Sequence, residues 1–335
     1  MAENMRDILD TVAKGEDLNI DQAAFAFREM FEGELTPAQS GALLMGLRAK
    51  GETPMELAAA ARAGLARARQ VSNLPAGTIV DIVGTGGDRT HSFNCSTAVS
   101  LFLAALGHTV IKHGNRAVSS SCGSADALEG LGLPLNTGPD DVADELKRTK
   151  GFVFLFAPHY HPSFAHIAPV RRELGIRTLF NLLGPLLNPA RPTHQLLGVG
   201  MAGALPLMSE TLALTAPKVN AFVIHGAGGF DELTPFGPTV GYQVDAGQVR
   251  PLRLDPKEYN LAGFAPADVR VEDKPSAIAA LKALLTGKGT PAMQMMTALN
   301  LGAALHLITG KAMSQCMTEA SQAVADGAAR SFVHD

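Results

Sequence analysis

The chain has 335 residues, of which 46% are hydrophobic and 18% are charged, and its formal net charge is −4. This composition excludes a disordered chain, and the weak negative charge argues against a nucleic-acid protein held by bulk basicity. Three cysteines in so long a chain exclude a disulfide framework and favour a reducing compartment, the cytoplasm. The acidic N-terminus is not that of a signal peptide, and the length predicts about two domains.

Residues 1–73 are predicted to form a small helical domain, because no strand pattern precedes residue 77. The capping-box spacing, a capping side chain three residues before Gln or Glu, recurs at Asn19, Thr36 and Thr53. Leu43, Leu44 and Leu47 form an apolar stripe. It belongs either to the core of this bundle or to an interface between copies of the chain. The sequence VSNLPAG at 71–77 is the predicted domain junction.

From residue 78 onward, β-branched runs alternate with helical segments. The predicted strands cover residues 78–83, 109–111, 152–156, 195–200 and 219–225. The first two flank an apolar helix at 96–106 in a β-α-β unit, so we expect them to be parallel and adjacent. Further helices are predicted at 275–285, 291–308 and 312–332. This alternation predicts an α/β domain over residues 74–335 with a mainly parallel central sheet.

One charge-free stretch, residues 192–209, is long enough to span a membrane. It contains two Pro, three Gly, a His and a Gln, which favour a buried strand, a turn and the start of a helix. We therefore expect neither a membrane nor a nucleic acid as a partner.

A glycine-rich loop, Gly84-Thr-Gly-Gly-Asp88, directly follows the first predicted strand. Its glycines let the backbone approach an anion, and the next helix adds the positive end of its dipole. Side-chain donors at the start of that helix are Asn94, Ser96 and Thr97. A carboxylate beside an anion needs a cation between the two charges, so Asp88 indicates a metal–pyrophosphate ligand. The alternatives are a structural glycine turn and a solvent-facing aspartate.

A second loop, KHGNRAVSSSCGSAD at 112–126, follows the second predicted strand. Parallel strands end on the same edge, where open α/β sheets bind ligands, so this loop is expected to face the Gly84 loop. Lys112, Arg116 and several serine hydroxyls then complete a cradle for a large polyanion. Taken singly, Lys112 and Arg116 are also consistent with solvated surface charges.

Later loops carry further candidate groups. Asp231 and Glu232 lie in a glycine-rich loop after a strand, which indicates a second metal site or, alternatively, two solvated acids in a turn. Arg171 offers a planar fork that fits a carboxylate, although an exposed helical arginine is the alternative. His159 and His161 are candidate bases, or rings that serve only in packing.

The order and spacing of these motifs resemble the anthranilate phosphoribosyltransferase family over nearly the whole chain. The resemblance is carried by GTGGD at 84–88, NCST at 94–97, KHGNRAVSSSCGSAD at 112–126, VRRELGIRTLFNLLGPLLNP at 170–189 and GFDELT at 229–234. KHGNR is specific to this family, whereas GTGGD is shared with its relatives.

The resemblance implies a nucleoside phosphorylase/phosphoribosyltransferase-like fold that dimerises through the helical domain, with a segment near 165–185 packed back on that domain. It implies a magnesium-dependent reaction in which the amine of anthranilate displaces pyrophosphate from C1 of phosphoribosyl pyrophosphate. It also implies contacts to this phosphoribosyl donor from Gly84, Gly87, Asp88, Ser92, Asn94, Ser96, Thr97, Lys112, Ser120 and Ser124.

By the same resemblance, the anthranilate path is lined by Asn115, His161, Arg171 and Gly184. Magnesium is bound, directly or through water, by Asp88, Ser96, Asp231 and Glu232. No general base is assigned, because an uncharged aromatic amine needs little activation. Ala165 and Leu187 depart from the family pattern, and Ala165 bears on how the acceptor channel is charged. The alternatives are a pyrimidine nucleoside phosphorylase and a non-catalytic or altered-substrate relative.

Overall fold

The computed structural model describes residues 4–88, 90–116 and 122–333. Its N-terminal part is a bundle of four helices, α1 (Met5–Ala13), α2 (Ile20–Glu32), α3 (Pro37–Lys50) and α4 (Pro54–Ala66). The three predicted capping boxes are confirmed at the starts of α2, α3 and α4. The apolar stripe on α3 is fully buried within one copy of the chain, so it belongs to the core and not to an exposed interface: Leu43, Leu44 and Leu47.

The second part of the chain is an α/β domain. Its strands are β1 (Val80–Gly84), β2 (Val110–Gly114), β3 (Phe152–Phe156), β4 (His194–Gly198), β5 (Asn220–His225), β6 (Thr239–Asp245) and β7 (Gln248–Leu254). Its helices are α5 (Cys95–Ala105), α6 (Ser124–Gly130), α7 (Val142–Arg148), α8 (Ala157–Tyr160), α9 (Ala168–Leu174), α10 (Phe180–Leu183), α11 (Leu205–Thr215), α12 (Lys274–Leu285), α13 (Pro291–Thr309) and α14 (Met313–Ala325). Short 3-10 helices cover Pro162–Ala165, Gly184–Leu186, Ala202–Ala204, Pro256–Tyr259, Pro266–Val269 and Arg330–Phe332.

The strands form one sheet in the order β3-β2-β1-β4-β5-β6-β7, and the first five are parallel. The predicted fold class, a small helical domain beside an α/β domain with a mainly parallel sheet, is confirmed. The antiparallel hairpin of β6 and β7 was not among the predicted strands. Its outer strand contains Pro251, which is tolerated there because an edge strand leaves one side of its backbone unpaired.

Two apolar layers hold the sheet. One face is covered by α5, α6 and α12–α14, and the other packs on the helical domain through α9, α10 and α11. Val170 of α9 lies against Gly41 of α3, and Ile167, Leu179 and Leu183 share a buried cluster with the helical domain. The segment around residues 165–185 therefore lies between the two parts of the chain, next to the carboxyl ends of the strands.

The charge-free stretch at 192–209 forms β4, a 3-10 helix and the start of α11, as predicted. Within the described part of the chain, no helix is long and apolar enough to cross a membrane. Since β4 is paired on both sides and its side chains are largely buried, the hydrophobicity of this stretch serves the core of the sheet.

Candidate active site

The glycine-rich loop after β1 lies at the carboxyl edge of the sheet. Gly86 and Gly87 have φ values of 64° and 70°, a region that favours glycine. The Gly86 N–H donates to Asp231 Oδ2 at 2.9 Å. A Cβ on Gly84 would collide with the same carboxylate, so the loop and Asp231 can approach this closely only because position 84 lacks a side chain.

Three carboxylates meet beside this loop. Oxygens of Asp88, Asp231 and Glu232 lie within 4.8 Å of one another. Burial, followed by the charge of Asp88, raises the pKa of Asp231 to about 6, and burial and Asp231 raise the pKa of Glu232 well above its usual value. Glu232 Oε2 has no hydrogen-bond partner among the described residues. Clustered acids with a spare oxygen are a donor set that fits a hard cation such as Mg²⁺.

Lys112 faces this cluster from the neighbouring strand β2. Its side chain is 1% exposed, and its ammonium donates to Ser96 Oγ at 3.1 Å and to the backbone carbonyl of Ile82. Burial lowers the pKa of Lys112, while the charges of Asp81, Glu232 and Asp231 raise it. A buried ammonium between the helix α5 start and three acids is a strong anchor for a polyanion that brings its own metal.

The start of α5 offers further polar groups to a ligand. Asn94 is the N-cap residue but its side chain does not cap the helix, and its Nδ2 instead donates to Cys122 O at 3.0 Å. Asn94 Oδ1 and Thr97 Oγ1 are buried without a partner in the described residues. Ser92 Oγ lies 3.4 Å from Thr90 Oγ1, which in turn donates to Asp88 at 2.7 Å. Ser92 is therefore linked through Thr90 to Asp88 of the carboxylate cluster, and Asn94 and Thr97 lie at the start of the helix that follows this loop.

The second predicted loop is only partly as expected. Ser124 begins α6 beside Gly114, at the end of β2, and the predicted site residue Ser120 lies outside the described residues. Arg116, expected in the polyanion cradle, instead makes two hydrogen bonds of 2.9 and 3.1 Å to Glu129 and one of 3.1 Å to Asp126. Its charge is therefore already matched, and Lys112 is the cation of this loop that faces the carboxylates.

A second group of side chains lies on the face of the sheet toward the helical domain. His161 Nε2 donates to Leu187 O at 2.8 Å, and its ring centroid is 5.1 Å from that of His113. Burial, followed by His161, lowers the pKa of His113 to about 3, although the nearby Gly184 carbonyl opposes this. Both rings are therefore neutral at physiological pH. Their remaining nitrogens, His161 Nδ1 and His113 Nε2, are unpartnered in the described residues.

Aromatic rings connect these histidines to an arginine. Phe164 lies 5.5 Å from His161 and 5.7 Å from Phe180, measured between centroids. The Arg171 guanidinium lies 4.9 Å from the Phe180 centroid. Burial lowers the pKa of Arg171, and the structure gives its guanidinium no hydrogen-bond or ion-pair partner among residues 4–88, 90–116 and 122–333. A half-buried cation without an acid beside aromatic rings suits a flat, negatively charged aromatic molecule.

Asn115 joins the two groups in sequence, two residues beyond His113. Its Oδ1 accepts the Arg116 N–H at 2.7 Å. Leu187, one of the two departures from the family pattern, binds His161 through its backbone carbonyl, so the change of side chain leaves this contact in place. Ala165, the other departure, ends the 3-10 helix that carries Phe164.

Sequence reasoning missed two residues. Arg177 donates to the Gly87 carbonyl and so links the segment after α9 to the glycine loop. It lies inside the motif at 170–189, where only Arg171 and Arg172 drew attention. Asp81, the second residue of β1, is fully buried. Its signal in the sequence is an acid within an apolar strand.

This fold and this pair of polar sites define a glycosyltransferase with an appended helical bundle. Two family models match the chain, one described as "Glycosyl transferase family, a/b domain" over residues 76–330 and one as "Glycosyl transferase family, helical bundle domain" over residues 6–68.

Curated relatives specify the family further. The chain is 53% identical to the anthranilate phosphoribosyltransferase of Nitratidesulfovibrio vulgaris and 52% identical to that of Oleidesulfovibrio alaskensis. These matches cover 98% of both chains in the first case, and 96% of this chain and 97% of the relative in the second. The chain therefore belongs to the anthranilate phosphoribosyltransferase family.

Solved structures agree with this assignment. The crystal structure of the Thermus thermophilus enzyme matches with a TM-score of 0.87 and 37% identity, covering 98% of this chain and 97% of that one. The Saccharomyces cerevisiae enzyme, in complex with PRPP and Mg, matches with a TM-score of 0.88 and 25% identity over 98% and 95% of the two chains.

Proposed function

We propose that this chain transfers the phosphoribosyl group of 5-phosphoribosyl 1-pyrophosphate to the amine of anthranilate, giving N-(5-phosphoribosyl)anthranilate and pyrophosphate. The observation that carries the proposal is the meeting of the three-carboxylate cluster, Lys112 and the glycine loop at one sheet edge. The curated relatives named anthranilate phosphoribosyltransferase support the same reaction. The protein is a pentosyl-transferring enzyme of tryptophan biosynthesis.

We propose that the phosphoribosyl donor binds against the glycine loop and the start of α5. Backbone N–H groups and the helix N-terminus favour its phosphates, and the Lys112 ammonium stabilises the charge that develops on the leaving pyrophosphate. The proposed donor contacts are Gly84, Gly87, Asp88, Ser92, Asn94, Ser96, Thr97, Lys112, Ser120 and Ser124.

Magnesium is proposed to complete the donor site. The yeast relative was solved with PRPP and Mg, and the acids here form a set of the type that binds Mg²⁺ together with substrate phosphates. Asp88, Asp231 and Glu232 would hold the ion, with Ser96 at the edge of the site. Bound there, Mg²⁺ supplies charge stabilisation to the departing pyrophosphate.

We propose that anthranilate binds among the rings on the other side of β2. Its carboxylate would bind the Arg171 guanidinium, for which the described residues offer no ion-pair partner, and its ring would lie beside His161 and Gly184 with Asn115 near the amine. In the reaction the C1–O bond to pyrophosphate breaks, the oxygen keeps the electron pair, and the amine nitrogen forms the new bond to C1. The nitrogen then loses a proton, and no side chain is assigned as its base. The protein acts by positioning and electrostatic stabilisation.

The enzyme is proposed to act in the cytoplasm as a homodimer that associates through its helical domain. A groove of about 310 Å³ between α2 and α4 is bordered by the exposed apolar side chains of Ile20 and Met55. Light scattering at micromolar concentration should give twice the mass of the 35.0 kDa chain, and Ile20→Asp should shift it toward the monomer. A monomeric wild-type protein would contradict this proposal.

The reaction itself is tested by following the loss of anthranilate fluorescence with PRPP and Mg²⁺. We expect turnover that requires all three components and produces stoichiometric pyrophosphate. Phosphate-dependent cleavage of a pyrimidine nucleoside, without any reaction of anthranilate, would show instead that the chain is a nucleoside phosphorylase.

A further inference from the structure

The β1–β2 pairing differs from the other parallel pairings in the sheet. β1 and β2 have one registered residue pair, Val80 with Val110, whereas β1–β4, β2–β3 and β4–β5 have five each. The Val80 N–H donates to Thr109 O at 2.9 Å, so the pairing begins normally at the amino end of β1. The two strands then separate toward the carboxyl edge, which is the edge that carries the glycine loop and Lys112.

Where the two strands separate, side chains form hydrogen bonds to backbone carbonyls that a continued ladder would pair. Continued parallel pairing would join Ile111 O to the Ile82 N–H and Ile82 O to the His113 N–H. Instead, Asn188 Nδ2 donates to Ile111 O at 2.8 Å, and the Lys112 ammonium donates to Ile82 O. The anchor of Lys112 is thus a carbonyl that is available only because the ladder is open.

Asp81 and Asn188 fill the opening from the other face. Asp81 alternates with Val80 and Ile82 along β1, so its side chain points away from the face that Lys112 occupies. It is fully buried, and Asn188 Nδ2 donates to its Oδ2 at 3.0 Å. Asn188 is itself fixed, because its Oδ1 accepts the Ala190 N–H at 3.0 Å.

The charge of Asp81 also bears on Lys112. Burial lowers the pKa of Lys112, and nearby negative charges oppose this. Among them the charge of Asp81 has a larger effect than those of Glu232 and Asp231. Asp81 lies outside the three-carboxylate cluster, so its charge is not shared with a metal bound there. Burial raises the pKa of Asp81 to about 6, and the charge of Lys112, the Asn188 amide and the His113 N–H oppose this rise.

We propose that Asp81 is a positioning residue that, with Asn188, holds β1 and β2 apart, so that Ile82 O anchors the Lys112 ammonium toward the phosphoribosyl donor. This inference rests on the proposed function, because it takes Lys112 to be a group that binds the donor. Asp81 touches neither substrate. It acts through Asn188, which occupies Ile111 O and so keeps the ladder open, leaving Ile82 O to Lys112.

Asp81→Asn tests this arrangement with almost no change in volume. Asn188 Nδ2 donates to Asp81 Oδ2, while Asp81 Oδ1 has no hydrogen-bond partner among the described residues. An amide has a single acceptor oxygen and no charge, so it holds Asn188 less firmly than the carboxylate does. Asn188 can then release Ile111 O to the Ile82 N–H, which closes the ladder and lets the His113 N–H compete with Lys112 for Ile82 O. We expect the KM for PRPP to rise about tenfold and the KM for anthranilate to stay within twofold. The affinity for magnesium pyrophosphate, measured by calorimetry, should fall as the KM for PRPP rises.

The direction of the change in the KM for PRPP distinguishes a positioning role of Asp81 from a purely electrostatic one. Removing a negative charge near a polyanion site favours anion binding by Coulomb's law, so a purely electrostatic role for Asp81 predicts a lower KM for PRPP. Glu56→Gln is the matched control, because Glu56 is also a fully buried carboxylate but lies in the helical domain. Its donors are the Leu18 N–H at 3.0 Å, the Thr53 N–H at 2.9 Å and Lys50 Nζ at 2.8 Å. This variant should lower thermal stability without changing the KM for PRPP.

If Asp81→Asn does not fold, Asn188→Ala decides the question. It frees Ile111 O for the Ile82 N–H and should raise the KM for PRPP at least about threefold. An unchanged or lowered KM for PRPP in whichever of the two variants folds, with an active wild-type enzyme, overturns the positioning role. A wild-type protein that does not react PRPP with anthranilate overturns the proposed function instead, so the two failures are distinguishable.

Discussion

The two halves of the candidate site differ in how their polar groups are partnered. The donor side, built from the glycine loop, Lys112 and the three carboxylates, buries charges of both signs against one another and leaves Glu232 Oε2 without a hydrogen-bond partner among the described residues. The acceptor side, built from His113, His161 and the rings leading to Arg171, has neutral rings and a cation, Arg171, that pairs with no acid in the part of the chain that the structure describes. The first is completed by a cation and a polyanion, and the second by a flat monoanion.

One strand separates these environments. Lys112 and His113 are consecutive in β2, and because side chains alternate along a strand they face opposite sides of the sheet. The motif KHGNR can therefore serve both substrates with adjacent residues. The comparison teaches that the sheet itself, rather than a domain boundary, divides the charged half of the site from the aromatic half.

The largest expected effect comes from removing the metal ligands on the donor side. Asp231→Ala combined with Glu232→Ala should lower turnover by about a thousandfold or more, because stabilisation of the leaving pyrophosphate is worth several kcal/mol. Turnover at limiting Mg²⁺ measures this. Circular dichroism should show an intact fold, since the two acids repel each other when the metal is absent. Full activity of the double variant at limiting Mg²⁺ would remove these residues from the metal site.

The next effect tests the acceptor side alone. Arg171→Ala should raise the KM for anthranilate about tenfold or more, because a contact to a charged group is worth roughly 1.5–3 kcal/mol. The KM for PRPP should change little. Arg172→Ala is the control, since this neighbouring arginine is exposed. Loss of donor binding with anthranilate binding kept would place Arg171 on the donor side and break the division drawn above.

The two sides should also respond to pH with opposite signs. The folded pKa of His113, about 3, is below its unfolded value, so this residue contributes stability above pH 6.5 that is lost as the pH falls toward 3. The folded pKa of Asp231, about 6, is above its unfolded value, so acidification from pH 6 toward 4 favours folding there.

Denaturant unfolding of the metal-free protein measures this contrast. Between pH 7.5 and 5, the unfolding free energy of wild type should fall by about 2 kcal/mol relative to that of His113→Leu. The reason is that pH 5 lies about 1.5 units below the unfolded pKa of histidine, and each unit is worth about 1.4 kcal/mol. Asp231→Asn should shift the pH dependence in the other direction. Parallel pH dependences in wild type and His113→Leu would mean that His113 is protonated as easily in the folded state as in the unfolded chain.

Much of this arrangement followed from local sequence. The capping boxes and the glycine loop depend on contacts within a few residues, and the parallel pairing of β1 with β2 then brings this loop and Lys112 to the same edge of the sheet. The β6–β7 hairpin was missed because its outer strand contains a proline and is largely exposed, which weakens the strand pattern. The partners of Arg116 were not predictable, because the choice between a ligand and Glu129 depends on how α6 packs after the loop.

The smallest expected effect concerns a contact that joins the two sides. Arg177 follows the acceptor-side helix α9, and its guanidinium donates to the carbonyl of Gly87 in the donor loop. We expect this hydrogen bond to hold the loop so that its backbone N–H groups, and not the Gly87 carbonyl, face the donor phosphates. Arg177 is partly exposed, so the contact is worth less than a buried one, and Arg177→Gln should raise the KM for PRPP about threefold. Arg177→Lys, which keeps the charge but loses the planar fork, separates the two roles open to this residue. If Arg177 positions the loop, both variants should show the same modest increase in the KM for PRPP; if lysine restores the wild-type value and glutamine does not, Arg177 contributes its charge to the donor directly and belongs to the donor side.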